Sequence, residues 1–338
     1  MEALKLLFPI FQWVVSVSPV AVLSVLLILL LRNGLGKRWN PAIFYLLWIL
    51  FTIRLSCPWV PASFMSLWNV VPAALHKDVI HEKMESMSSF YLDQQTFEWP
   101  TMQETNVILS IDNAGVHAST LNVNWIDLAY FGWLIGFFII AICYLFAFIK
   151  WNHSIKHKSV HNQAIELDRW FLECKEQLGT AKDIPLKITS LVTTPAAYGL
   201  WKPQILIPKN MIGKLTEDDW KCIFLHELIH IRRKDAFWNG FMLTLVILHW
   251  FNPFMWRAYM KMREEQEMSC DLKTLNYVHH VQYGNTLIKT LELNLNMNRL
   301  SLIPFISRKK KMIKRRIEMI TIKKKRALSF IIIGIMPI

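Results

Sequence analysis

Three apolar runs constrain this chain more than anything else in it. Phe8 to Leu31 is almost free of charge, with "VAVLSVLLILLL" at its heart. Asn40 to Val60 ("NPAIFYLLWILFTIRLSCPWV") follows, interrupted by Arg54, and Ile126 to Ile149 ("IDLAYFGWLIGFFIIAICYLFAFI") is the third. Each approaches or exceeds the ~20 residues that a bilayer-spanning helix requires. A soluble domain of this size would not carry 53% hydrophobic residues. The first run is too long for a signal-peptide core, and no small-residue cleavage site follows it. The expectation is a mainly helical integral membrane protein with spans at 8–31, 40–60 and 126–149.

Charge sets the expected orientation. Arg32, Lys37 and Arg38 lie between the first two runs, and Lys150, Lys156 and Lys158 follow the third. The intervening 61–125 stretch is mostly acidic, with Asp78, Glu82, Glu85 and Asp93 among its charges. The positive-inside rule then puts the N-terminus and the 61–125 loop outside, and the chain beyond Lys150 in the cytoplasm. Five cysteines without a CxxC pair suggest neither a disulfide framework nor a thiolate zinc site. The net charge of +13 is concentrated near the C-terminus, in "SRKKKMIKRRIEMITIKKKR". Its interleaved apolar residues favour a membrane surface over nucleic acid, and no nucleic-acid reading motif accompanies it. This basic juxtamembrane segment is taken as 307–326. The apolar run that starts at Ala327 is too short for a span by Ile338, and is read as the start of an incomplete one.

The cytoplasmic part carries the chemistry. His161 to Leu178 reads as an amphipathic helix, and "PLKITSLV" (185–192) and "PQILIP" (203–208) as strands. Thr216, followed by Glu217, Asp218 and Asp219, starts a helix that contains "FLHELIHIRRKD". On a helix, His226 and His230 share a face and can aim two imidazole nitrogens at one ion, with Glu227 beside them. A catalytic zinc needs three protein ligands, an open position for water and a base for the water's proton. Chance placement would give roughly 0.02 such HExxH patterns in a chain of this composition. Apolar neighbours bury the helix, and buried imidazoles and carboxylates are costly without a partner.

The third ligand must come from elsewhere. His249, in an apolar run, reads as a packed histidine. Glu264, Glu265, Glu267 and Asp271 lie on a second long helix, from about Met255 to Val278. Glu267 and Asp271 share a face with Glu264 near it, so spacing alone does not choose among them. Phe237 to Phe254 is apolar enough to tempt a further span. A single crossing there would put the histidines and these acids on opposite sides of the membrane, so the stretch is expected to be buried in the protein or to lie at the membrane surface.

The motifs "HELIHIRRKD", "TPAAYGLWKPQILIP", "EQEMSCD" and "VQYGNTLIKTL" together resemble the BlaR/MecR-type membrane metallopeptidases, signal transducers of β-lactam resistance. The resemblance implies an α+β, zincin-like domain over 150–306, with zinc bound by His226, His230 and Glu267. Glu227 would be the general base and Asp271 a supporting carboxylate. It implies protein substrates in a bacterial plasma membrane setting: the chain itself, cut near Leu300 to Ile306, and a DNA-bound repressor. Contact with membrane lipids and a homodimer are compatible with it; direct nucleic-acid binding is not expected. Antibiotic-sensing members add an outer penicillin-binding domain, so direct β-lactam sensing is not expected of these 338 residues. The 203–208 strand is a candidate edge for an extended substrate. The rival from another class is a non-proteolytic zinc-containing transducer or scaffold, which would have no use for Glu227.

Overall fold

The computed structural model describes residues 7–35, 40–57, 105–112, 115–122, 125–161, 165–180, 183–297, 312 and 314–320. The expected cleavage segment 300–306, most of 61–125 and the apolar run 327–338 lie outside them. The chain divides into two compact units, Met1–Trp13 with Cys57–Gly136 and Val14–Ser56 with Phe137–Ile338.

In the first unit, the start of helix α1 (Phe8–Leu35) meets the start of helix α3 (Trp125–Lys158) through aromatic rings. Tyr130 packs on Phe8 and Phe11 at 5.2 and 5.5 Å between centroids. The same unit holds an antiparallel hairpin, β1 (Thr105–Asp112) and β2 (Gly115–Asn122), paired from Thr105↔Asn122 to Asp112↔Gly115.

Among the described residues, two helices are long and apolar enough to cross a membrane, Phe8–Gly34 and Trp125–Lys158. Their large apolar side chains, such as Leu23, Leu27 and Leu30 on α1 and Ile135, Ile139 and Ile142 on α3, stand exposed. Lipid would cover such a surface. The second run differs from expectation: its helix α2 covers only Pro41–Ser56, 16 residues, short of a full span. One stripe of it (Phe44, Tyr45, Trp48, Phe51, Thr52, Leu55) is buried against protein, while Leu46, Leu50 and Ile53 face outward.

The second unit also holds a four-stranded sheet in the order β3-β4-β6-β5. Its strands are β3 (Ser159–His161), β4 (Leu186–Thr189), β5 (Ala196–Tyr198) and β6 (Gln204–Pro208), with β4 and β6 parallel and the outer pairings antiparallel. Here the expectation for 203–208 fails. β6 is flanked on both sides, and Ile205, Leu206 and Ile207 are fully buried, as three consecutive apolar residues in a central strand should be. The edge strand on this side of the sheet is β5. The turn between β5 and β6 passes through Gly199 at φ +99°, where a Cβ would collide with the Lys202 carbonyl, so only glycine serves there.

Helix α4 (Ile165–Gln177) and helix α5 (Glu217–Arg232) close over the sheet. Phe171, Ile205, Ile207, Trp220, Phe224 and Leu228 belong to their shared core. α5 starts as the sequence suggested: Thr216 Oγ1 accepts from Asp219 N, and Asp219 returns the bond to Thr216 N. Asp219 also takes bonds from Thr286 (2.7 Å) and Lys289 (2.8 Å), which fasten helix α8 (His280–Met297) to α5. Helix α6 (Asp235–Leu248) is too short to cross a membrane and turns back into α7 (Pro253–Thr274). His249, at that turn, is buried with its Nδ1 on the Leu245 carbonyl at 2.9 Å, the packed histidine that was expected. All five cysteines are free thiols.

Candidate metal centre

The helix period does on α5 what the motif requires: His226 and His230 stand one turn apart with their Nε2 atoms 3.1 Å from each other. Glu267, on α7, places Oε2 3.6 Å from His226 Nε2 and Oε1 3.7 Å from His230 Nε2. A tetrahedral ion with ligands at about 2.0–2.1 Å sets its donors about 3.3 Å apart. The three side chains therefore come close to the triangle that such an ion would demand.

The other acids of α7 are engaged elsewhere, which the sequence could not reveal. Glu264 pairs with Lys261 (2.7 Å), Arg315 (3.2 Å) and Arg32 (3.5 Å). Glu265 is buried and paired with Arg32. Asp271 is fully buried and gripped by the Arg316 fork at 2.6 and 2.7 Å. Glu267 alone is turned to both imidazoles.

Each histidine is held by its far nitrogen. His230 Nδ1 donates to Asp235 Oδ2 at 2.6 Å. This bond depends on the α5–α6 junction, where Lys234 adopts a left-handed conformation (φ 56°). The kink folds the first residue of α6 back towards α5, so a residue five positions on reaches His230. His226 Nδ1 lies 2.8 Å from the Tyr283 hydroxyl, which in turn donates to Asp271 Oδ1 at 2.6 Å. Burial and the neighbouring Asp271 carboxylate push the Tyr283 phenol well up, so it stays a donor. With both Nδ1 atoms directed to these partners, both Nε2 atoms are turned to each other and are the nitrogens placed to bind a cation.

Asp271 thus stands behind His226 as expected of a supporting carboxylate, but at 3.5 Å it acts through Tyr283 rather than by direct contact. Asp235 and Tyr283 were not foreseen. Asp235 closes the "HIRRKD" stretch itself, and an acid one turn past a ligand is the signal that could have found it. Tyr283, in "VQYGN", carried none.

The electrostatics report the same convergence. Burial alone would raise the Glu267 carboxyl, but His226, His230 and Arg316 hold it well below the usual carboxylate range. Burial would lower the imidazoles, yet Cys270 and the surrounding acids outweigh it and push His226 up to about 10. Buried acids and bases this close share protons where a divalent cation would otherwise sit. Cys270 is a further soft donor, its sulfur within 4.8 Å of the histidine nitrogens. Its thiol is also turned to the His226 carbonyl at 3.3 Å.

Glu227 reaches the sheet: its Oε2 accepts the Ala197 N–H of edge strand β5 at 2.7 Å. The centre opens into a cavity of about 1330 Å³ whose walls include β5, Glu227, Glu267, Tyr283, Asn294 and Arg316. That is larger than most small-molecule sites.

The model of the family described as BlaR1 peptidase M56 matches residues 12–320. The chain belongs to the BlaR1 peptidase M56 family. It is 34% identical over 196 residues to the regulatory protein BlaR1 of Bacillus licheniformis, covering 57% of this chain and 32% of that one. It is 22% identical over 275 residues to the methicillin resistance mecR1 proteins of Staphylococcus aureus and Staphylococcus epidermidis, covering 80% of this chain and 44% of theirs. The chain spans under half the length of these M56 relatives.

Proposed function

We propose that this M56 member is a membrane-embedded zinc endopeptidase acting in signal transduction, with His226, His230 and Glu267 as metal ligands and Glu227 as general base. The observation that carries this reading is the convergence of the His226 and His230 Nε2 atoms, 3.1 Å apart, with the Glu267 carboxylate 3.6 and 3.7 Å from them. Buried imidazoles and a carboxylate this close are held together by shared protons or by a cation in their place. Zinc bound there would supply an acidified water and polarise the scissile carbonyl.

The chain's own residues supply the rest. The open edge of β5 suits an extended peptide by strand addition. Ala197 N–H, bonded to Glu227, holds the base against that edge, where the scissile bond would run. Glu227 takes the water's proton and returns it to the leaving amine. Asp235 and Tyr283 keep the imidazoles aimed, which supports the basicity of the ligands.

The substrates we propose are the chain itself, cut around 300–306, and a transcriptional repressor, which suits relatives named for regulation and methicillin resistance. The basic flanks of the apolar helices favour a cytoplasmic site and an outer N-terminus, and the rest of the 307–326 tract favours anionic lipid. The test is intact-mass spectrometry of the membrane-expressed chain beside E227Q. The variant should keep its metal and stay uncut; undiminished cleavage in E227Q refutes the assigned base.

A further inference from the structure

Asp235 accepts more than the His230 proton. Its Oδ1 receives the hydroxyl of Tyr45 at 2.9 Å, and Tyr45 lies in the first turns of the apolar helix α2. That helix begins at an Asn40 cap, whose Oδ1 accepts Ala42 N at 2.9 Å, followed by Pro41 at the first helical position. The start of α2 is thereby fixed beside the metal centre. The hydroxyl has one orientation available: it accepts from Gln266 Nε2 at 3.1 Å, next to Glu267 in sequence, and so must donate to Asp235. The Arg233 guanidinium covers the Tyr45 ring at 4.5 Å and reaches Asp235 Oδ1 at 3.3 Å.

We propose that Tyr45 is a positioning residue of the metal centre: its hydroxyl locks Asp235, and through it the His230 imidazole, in the orientation that aims Nε2 at the cation. The proposal rests on the zinc reading above. Asp235 is buried, and a carboxylate there is held in one orientation only while its oxygens keep their donors. Its donors come from three elements: His230 from α5, Arg233 from the α5–α6 junction, and Tyr45 from a helix the membrane would hold. Displacing α2 removes the third of these and lets the carboxylate turn away from His230. A role in packing alone would instead rest on the ring, which stacks under Arg233 whether or not the hydroxyl is present.

The substitution Tyr45→Phe separates the two roles, because it deletes the hydroxyl and keeps the ring. The full chain is used in detergent micelles, in the E227Q background so that self-cleavage does not intervene. Zinc affinity is measured against a competing chelator, and the visible spectrum is recorded after loading with cobalt(II). Y45F should bind zinc on the order of 10-fold more weakly, the usual scale for loss of a partner behind a metal ligand, with a shifted cobalt band. In the D235N background, Y45F should add no further loss, since it acts through Asp235. Equal zinc affinity and an unchanged cobalt spectrum would overturn the proposal, as would a loss that simply adds to that of D235N. A lower melting temperature in chelator with unchanged zinc affinity would overturn it too, leaving a packing role. If E227Q alone binds no metal, the metallopeptidase reading fails and the role of Tyr45 with it. If both proteins bind metal equally, only the latter fails.

Discussion

Replacing Arg316 by alanine should cost this protein far more than one charged residue usually does. Arg316 sits in the helical stretch 314–320 and sends two bonds, 2.6 and 2.7 Å, to Asp271. Neither partner reaches solvent appreciably: 8% of Arg316 and none of Asp271 is exposed. With the guanidinium gone, the carboxylate keeps only the neutral Tyr283 donor. Breaking a buried pair from one side costs about 3–5 kcal/mol, because the remaining charge is left uncompensated. For a folded unit of this size that lowers the melting temperature by roughly 10 °C. R316K keeps the charge but loses the planar fork, and should lose about 1–2 kcal/mol. D271L/R316L removes both charges and should recover most of the loss. Thermal unfolding of the parent, D271L, R316L and D271L/R316L, all in the E227Q background in detergent micelles, gives the cycle. A loss below about 1 kcal/mol for R316A, or single effects that add in the double variant, would refute the buried pair.

Two further outcomes test the centre. E267Q should weaken zinc binding by about 100-fold or more whereas C270A changes it by less than about 3-fold, as chelator competition would show; the reverse ranking would make Cys270 the third ligand. Without metal, His226 is raised to about 10 from an unfolded value near ~6.5. Its contribution to stability is then complete below about pH 6.5 and fades as pH climbs towards 10. Chelator-treated protein should melt progressively lower across that window, while zinc-loaded protein, with metal in the proton's place, should not follow it.

Much of the centre was legible because helical periodicity is local. The spacing of His226 and His230, the Thr216 cap and the buried His249 all follow from neighbours in sequence. What was not legible depends on contacts across the fold. Glu267 could not be told from Glu264, Glu265 and Asp271 by spacing, because the partners that occupy those three, Arg32, Arg315 and Arg316, lie far away in the chain. Arg32 looked like a free loop charge and is a buried partner of α7. Arg315 and Arg316 looked like part of a lipid-facing basic tract and instead face acids. The strand 203–208 was a plausible edge until β5, only three residues long and with no apolar run to mark it, took that position. The left-handed Lys234 gives no signal in a sequence, yet it brings Asp235 to His230.

Residues 264 to 271 of α7 are fastened in turn by Arg32 of α1, Tyr45 of α2, and Arg315 and Arg316. An excised water-soluble fragment beginning after α3 would lack the first two of these anchors. It would also expose the buried Glu265, stripped of its counter-ion, beside the ligand Glu267. Shortening the protein to a convenient catalytic core therefore dismantles the centre it is meant to isolate.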